Sequence, residues 1–155
     1  MEYNLEERLE RVFNENSDKR ICVIGTTCTG KSTLIKKLGR GLDMDAEIFP
    51  LLTQEETEYV CSNPWTEEIG KTMDNLVKER LTVTKENPLF GTVLLDCDLI
   101  VYLHINDDLL AERTALRNAS FTDAKNMQSK IEEEIKNSGI ETIMLEVTNT
   151  KEKSR

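Results

Sequence analysis

Ile21-Cys22-Val23-Ile24-Gly25-Thr26-Thr27-Cys28-Thr29-Gly30-Lys31-Ser32-Thr33 is the stretch on which the fold turns. Four apolar residues run directly into a full match to G-x-x-x-x-G-K-[ST], and Leu34, Ile35 and Leu38 follow at helical spacing before Gly39 and Gly41 offer stop signals. A buried strand, a tight loop and a helix in that order make a phosphate site. Gly25 and Gly30 relieve backbone sterics so that the loop can wrap an anion, and the following helix aims its positive end at it. Lys31 adds the one full charge of the motif. Ser32 is placed to hold a Mg²⁺ that bridges two phosphates. Gly25, Thr26, Thr27, Cys28, Thr29, Gly30, Lys31, Ser32 and Thr33 are therefore the expected nucleotide-binding residues, with Lys31 also a catalytic candidate and Ser32 a metal ligand. The motif implies that the chain binds a nucleoside triphosphate or descends from one that did.

Working outward, the chain of 155 residues has no long Pro, Ser or Gly tract and reads as a single α/β domain over 1–155. Twenty Lys plus Arg against 29 Asp plus Glu leave a net charge of −9, which repels phosphate polymers and argues against nucleic acid or an anionic membrane as partner. Cys22, Cys28, Cys61 and Cys97 lie far apart in the sequence, with no C-x-x-C and His104 as the single histidine. Neither a zinc site nor a disulfide framework is suggested, and a reducing cytoplasm is the expected setting. No apolar run has the length of a membrane span, and the acidic N-terminus lacks a signal-peptide pattern.

Asn4 is placed to cap a first helix within 1–17, with Glu7 reaching back and Leu5, Leu9, Val12 and Phe13 on one face. That helix reads as an extra element covering the core. Residues 42–63 resist assignment, since Ile48-Phe49-Pro50-Leu51-Leu52 fits a strand, a helix start or a buried loop. Pro64 reads as a first helical position, with Ile69, Met73, Leu76 and Leu81 giving an amphipathic helix to about Thr84, and Trp65 as a packing residue. Leu99–Ile105 is an unbroken apolar run, as expected of a parallel strand covered on both faces. Asp107 then caps a helix to about Arg117, Thr122 opens another that ends at Ser138-Gly139, Thr142–Val147 is a last strand, and 149–155 is a polar tail. Strands alternating with helices predict a three-layer α/β/α sandwich with a mainly parallel sheet.

Guanine-specific GTPases carry N-K-x-D for the base and D-x-x-G for the γ-phosphate; neither occurs, and Thr148-Asn149-Thr150-Lys151 does not supply the first. A compact chain with this phosphate loop, a helical insertion, a late buried strand beginning Cys97-Asp98-Leu99 and the charged helix Glu112-Arg113-Thr114-Ala115-Leu116-Arg117 resembles the nucleoside monophosphate kinase-like family of small P-loop kinases. That family includes shikimate kinase, adenylate kinase and deoxynucleoside kinases. The resemblance spans roughly Ile21 to Asn149, with the phosphate loop as its specific signature. It implies a P-loop NTPase fold, ATP and Mg²⁺ as cofactors, and transfer of the γ-phosphoryl group to a small-molecule acceptor in the region 42–87. A nucleotide-binding regulatory protein or slow ATPase is the alternative.

In that family the strand similar to Asp98–Leu103 leads into a helix whose arginines close over the triphosphate as a lid, and Arg113 and Arg117 within 107–122 match that spacing. Arg117, beside the polar Asn118-Ala119-Ser120 turn, is the one expected to matter more. The other reading pairs both with Glu112 or Asp108 on a solvated face. Asp43-Met44-Asp45 looks like the D-x-D of shikimate kinase-type enzymes, where the first carboxylate supports the metal and the second contacts the acceptor. The linker from Lys31 is shorter here and no G-G-G loop appears, so shikimate itself is not indicated. An extended segment puts both carboxylates on one face; a solvated acidic turn is the other possibility. Asp96, after Thr92-Val93-Leu94-Leu95, is a rival metal-side acid at the end of an apolar strand. Three residues cannot make a crossover from that strand to Leu99–Ile105 if the two are neighbours, so either one assignment gives way or the two are one bent strand. Lys71, Lys78 or Arg80 are candidates for acceptor selectivity. Cys28 is a small loop residue, and His104 a satisfied core histidine.

Overall fold

The computed structural model describes residues 4–64 and 66–148, so the roles expected of Trp65 and of the tail 149–155 lie outside the described residues. Five strands form one parallel sheet: β1 (Ile21–Ile24), β2 (Leu42–Asp43), β3 (Leu89–Gly91), β4 (Leu99–His104) and β5 (Glu141–Glu146), in the spatial order β2-β3-β1-β4-β5. Their side chains alternate between two cores. Ile21, Val23, Leu99, Val101 and Leu103 point to one, and Cys22, Ile24, Ile100 and Tyr102 to the other. Both are closed by helices, which is why β1 and most of β4 are buried along their whole length.

The first core is covered by α1 (Leu5–Glu15), α2 (Lys31–Leu38) and α6 (Asp107–Leu116), and the second by α3 (Met44–Ile48), α5 (Glu67–Arg80) and much of α7 (Phe121–Ser138). A short α4 (Gln54–Val60) packs on α5. Asn4 caps α1 as expected, its side chain accepting from the Glu7 amide at 2.8 Å, and Leu5, Leu9, Val12 and Phe13 are its buried stripe. Phe13 meets Phe90 edge to face at 6.0 Å, which ties α1 to β3.

Several expected boundaries move. Helix α5 is capped by Thr66, whose hydroxyl accepts from the Ile69 amide at 3.3 Å, so Pro64 lies two positions ahead of the cap rather than at the first helical position; the helix ends at Arg80 rather than Thr84. Asn106 rather than Asp107 caps α6, and Ser120 caps α7, two residues before Thr122. The unassigned region becomes β2, α3, a 3₁₀ turn at Phe49–Leu51, and α4, whose capping box joins Thr53 and Glu56.

The expected strand Thr92–Leu95 does not form. The strand is Leu89–Gly91, and β3 and β4 flank β1 rather than each other. Residues 92–98 run back along the sheet as a crossover with no helix or strand, bent at Thr92, Val93, Asp96 and Asp98, with Val93, Leu95 and Cys97 buried in the second core and Asp96 and Asp98 exposed. Seven residues can span at most about 23 Å, which leaves slack to return alongside such short strands without a helix.

Candidate functional site

The loop 25–32 leaves β1 at the C-terminal end of the sheet, and its shape comes from two left-handed residues, Cys28 at φ 68° and Gly30 at φ 87°. Glycine accepts that conformation freely, whereas Cys28 holds it under local strain of the kind found at ligand sites. Gly25 is needed for closeness, since a Cβ there would sit 3.1 Å from Leu103. Two threonines anchor the loop. Thr29 Oγ1 donates to the Thr26 carbonyl at 2.9 Å, and Thr26 Oγ1 donates to the Ala124 carbonyl on α7 at 2.5 Å. Both threonines are buried, an assignment that x-positions of a motif do not reveal.

Lys31 folds back into this loop. Its Nζ donates to the Gly25 and Thr26 carbonyls at 2.8 Å each and to Thr29 Oγ1 at 3.0 Å. Burial pushes its ammonium down to about 8, against the pull of Asp45 and Asp43; Arg117 pushes the same way as burial. An ammonium held by neutral oxygens, with loss of hydration only partly compensated, is poised to gain from an arriving anion.

The two aspartates converge on the same end of the sheet, though by another route than alternation. Asp43 ends β2 and caps α3, so Oδ1 accepts from the Asp45 amide at 2.9 Å while Oδ2 accepts from Ser32 Oγ at 3.3 Å. The segment is a strand end followed by a helical turn, not one extended strand. Partial burial pushes the Asp45 carboxyl up, Asp43 adds to that, and Lys31 opposes it. Ser32 Oγ and Asp43 Oδ2 offer two adjacent oxygens suited to a hard cation, and among the described residues no group of three or more His, Cys, Asp or Glu forms a cage of its own. Such a pair fits a Mg²⁺ whose remaining ligands are phosphates and water.

Arg113 reaches across from α6, its Nη1 donating to the Cys28 carbonyl at 3.0 Å and lying over Gly30. Burial and the neighbouring Arg117 both push its guanidinium down. Arg117 is exposed at the end of α6 but borders the same pocket of about 230 Å³, with Cys28, Thr29, Gly30 and Thr33. The geometry thus shifts the emphasis from Arg117 to Arg113. Leu5 and Glu6 of α1 form another wall of this pocket, so the helix expected only to cover the core also shapes the site.

A second cavity of about 370 Å³ lies between α5 and α7, bordered by Thr92, just beyond β3, and by Lys71, Asp74, Asp123, Asn126 and Lys130. It adjoins the loop, because the Gly25 amide donates to the Gly91 carbonyl at 3.2 Å and Ala124 receives Thr26. Of the three basic acceptor candidates only Lys71 lines it. Lys78 pairs with Glu134 at 3.6 Å, and Arg80 grips Glu56 with two bonds of 2.7 Å and the Leu51 carbonyl with a third contact, which makes it a brace between α5 and α4.

Asp96 is removed from the site. It bonds Arg20 Nη1 at 3.0 Å, and Arg20 immediately precedes β1, so the carboxylate sits at the opposite end of the sheet from Lys31. His104 ends β4 half-buried, its Nδ1 2.7 Å from Glu146 Oε1 on β5. No described helix is long and apolar enough to cross a membrane. A comparison of the chain with protein-family models and with curated proteins finds no match in either.

Proposed function

We propose that the chain is a Mg²⁺-dependent phosphotransferase that moves the γ-phosphoryl group of a nucleoside triphosphate to a small-molecule acceptor. The observation that carries this reading is the parked ammonium of Lys31, bonded to two loop carbonyls and a hydroxyl within reach of the fields of Asp43, Asp45 and Arg117. Phosphates entering the loop would exchange those neutral partners for anionic oxygens, and charge-assisted bonds are the stronger ones. Ser32 and Asp43 would hold Mg²⁺, which would supply positive charge against the phosphates.

Arg113 would leave the Cys28 carbonyl for the transferring group, and Arg117 would follow from the end of the same helix. Phosphoryl transfer depends chiefly on positioning and on compensating charge over the equatorial oxygens, which movable guanidinium groups supply. Asp45, with its carboxyl pushed up, would accept a hydrogen bond or proton from the acceptor hydroxyl. The cavity beside Thr92 would admit the acceptor, with Lys71 on its wall. ATP is the donor implied by the family resemblance, while the phosphate contacts themselves do not select a base.

The test is incubation of the protein with Mg²⁺, ATP or GTP, and pooled metabolites. A phosphorylated small molecule is the expected product. Release of inorganic phosphate alone would point instead to a slow hydrolase or regulatory nucleotide binder.

A further inference from the structure

The nucleotide pocket has a wall that the phosphate-loop unit does not provide. Leu5 and Glu6, in the first turn of α1, border it together with Leu34 and Lys37 of α2 and with Leu116 of α6. Leu116 is 81% exposed, an apolar side chain left open at the edge of a polar pocket, while Leu5 and Leu34 are buried beside it. A flat heteroaromatic ring would cover Leu116 and rest against the other two. Glu6 and Lys37 stand next to this apolar floor as a bonded pair, Lys37 Nζ donating to Glu6 Oε1 at 3.1 Å.

A carboxylate only accepts hydrogen bonds and an ammonium only donates them, so the pair displays acceptors beside donors. Guanine carries the complement on one edge: the O6 acceptor beside the N1–H and N2–H donors. Lys37 can donate to O6 while both Glu6 oxygens accept from the two N–H groups. In the same pose adenine sets its N6–H donors against the Lys37 ammonium and its N1 lone pair against the Glu6 carboxylate, so it matches neither group. Buried or half-buried polar groups left without a partner are what make such a site reject the poorer match. We infer that Glu6 and Lys37 read the Watson–Crick edge of the base and make GTP the preferred donor. The carboxylate that N-K-x-D would supply in a GTPase comes here from α1.

This rests on the reading that the pocket holds a nucleotide, and calorimetry on the full chain with Mg²⁺ and non-hydrolysable analogues of ATP, GTP and xanthosine triphosphate separates the two. GTP analogue should bind about 10-fold or more tighter than ATP analogue, the discrimination typical of a bidentate base contact. Glu6→Gln should erase that preference by weakening the GTP analogue about 10-fold or more, because one amide cannot accept from both N–H groups. The same variant should bind the xanthosine analogue better than the wild type does, since xanthine offers a carbonyl where guanine has its amino group. That gain cannot arise from a damaged fold. Equal affinity for ATP and GTP in the wild type, or parallel loss of both in Glu6→Gln, overturns the base assignment alone. Binding of none of the three overturns the donor site with it.

Discussion

The two ends of β1 carry similarly dense charge arranged in opposite ways. At the N-terminal end Arg20 donates through Nε and Nη2 to Asp98 and through Nη1 to Asp96, and its backbone amide also bonds Asp98. Arg20 and the two aspartates are matched in sign there, and the Arg20 bonds hold the Asp98 carboxyl down to about 2. At the C-terminal end Lys31 is held by neutral oxygens, Asp43 stands against Asp45, and Arg113 against Arg117. There the shifts run toward neutrality: Lys31 and Arg113 down, Asp45 up. Matched charges mark a brace; like charges kept close mark a place where an outside charge is expected.

The sharpest way to break that contrast is Lys31→Ala. Removing the one charge aimed at the phosphates should cost nucleotide binding about 2–5 kcal/mol, the range for truncating one side of a desolvated charge pair, while thermal unfolding changes little. Unchanged affinity by calorimetry would remove the donor site. The pH profile sharpens the test. Bound phosphates raise the Lys31 pKa above its free value of about 8, so affinity is full below pH 8 and falls as pH rises beyond it. Proton uptake on binding near pH 8.5, absent in Lys31→Ala, is the expected calorimetric signature.

Arg113→Ala comes next. Its guanidinium already lies on the loop, so its loss should lower kcat on the order of a hundredfold or more with a smaller effect on nucleotide affinity. Arg117→Ala should do less, being exposed at the helix end. Near-normal kcat in both would place them with the braces. Smaller again is Asp43→Asn, expected to weaken Mg²⁺-dependent turnover roughly 10- to 100-fold, the usual cost of losing a group that supports a metal. Asp45→Asn should mainly raise the acceptor KM. Steady-state titrations of Mg²⁺ and acceptor distinguish the pair from a simple acidic turn, which would leave both unchanged.

How much of this was legible in the sequence follows from the range of each interaction. The loop, the strand Leu99–His104 and the α1 stripe were readable because short-range spacing and capping decide them. The crossover at 92–98 was not, since Val93, Leu95 and Cys97 alternate as a strand would but find a core rather than a ladder partner. Asp96 looked like the acid at a strand end, and only the sheet order shows which end it occupies. Asp43 comes to Ser32 through a helix cap rather than through the strand alternation that the spacing of Asp43 and Asp45 suggests. Glu6 carried no local signal at all. Its place in the pocket depends on where α1 docks, which Phe13 on Phe90 and Lys37 on Glu6 decide across more than thirty and seventy residues of chain, the longer link being Phe13 to Phe90.

The smallest functional effect should come from the opposite end of β1, and it tests the contrast from the other side. Asp98→Asn keeps the shape of the Arg20 contact but removes its charge, so stability should fall with nucleotide affinity unchanged. The sign of its pH dependence is fixed. The Asp98 carboxyl is depressed to about 2 from its ordinary value of 3.8, so the stability it adds is fully present above the ordinary value and is lost as pH falls through about 2. The wild type and Asp98→Asn should therefore differ most in denaturant midpoint at neutral pH and converge as the acid limb is descended. A loss of nucleotide affinity in this variant at pH 7 would mean that the charges at the two ends of β1 are coupled through the strand, and that the division into brace and site does not hold.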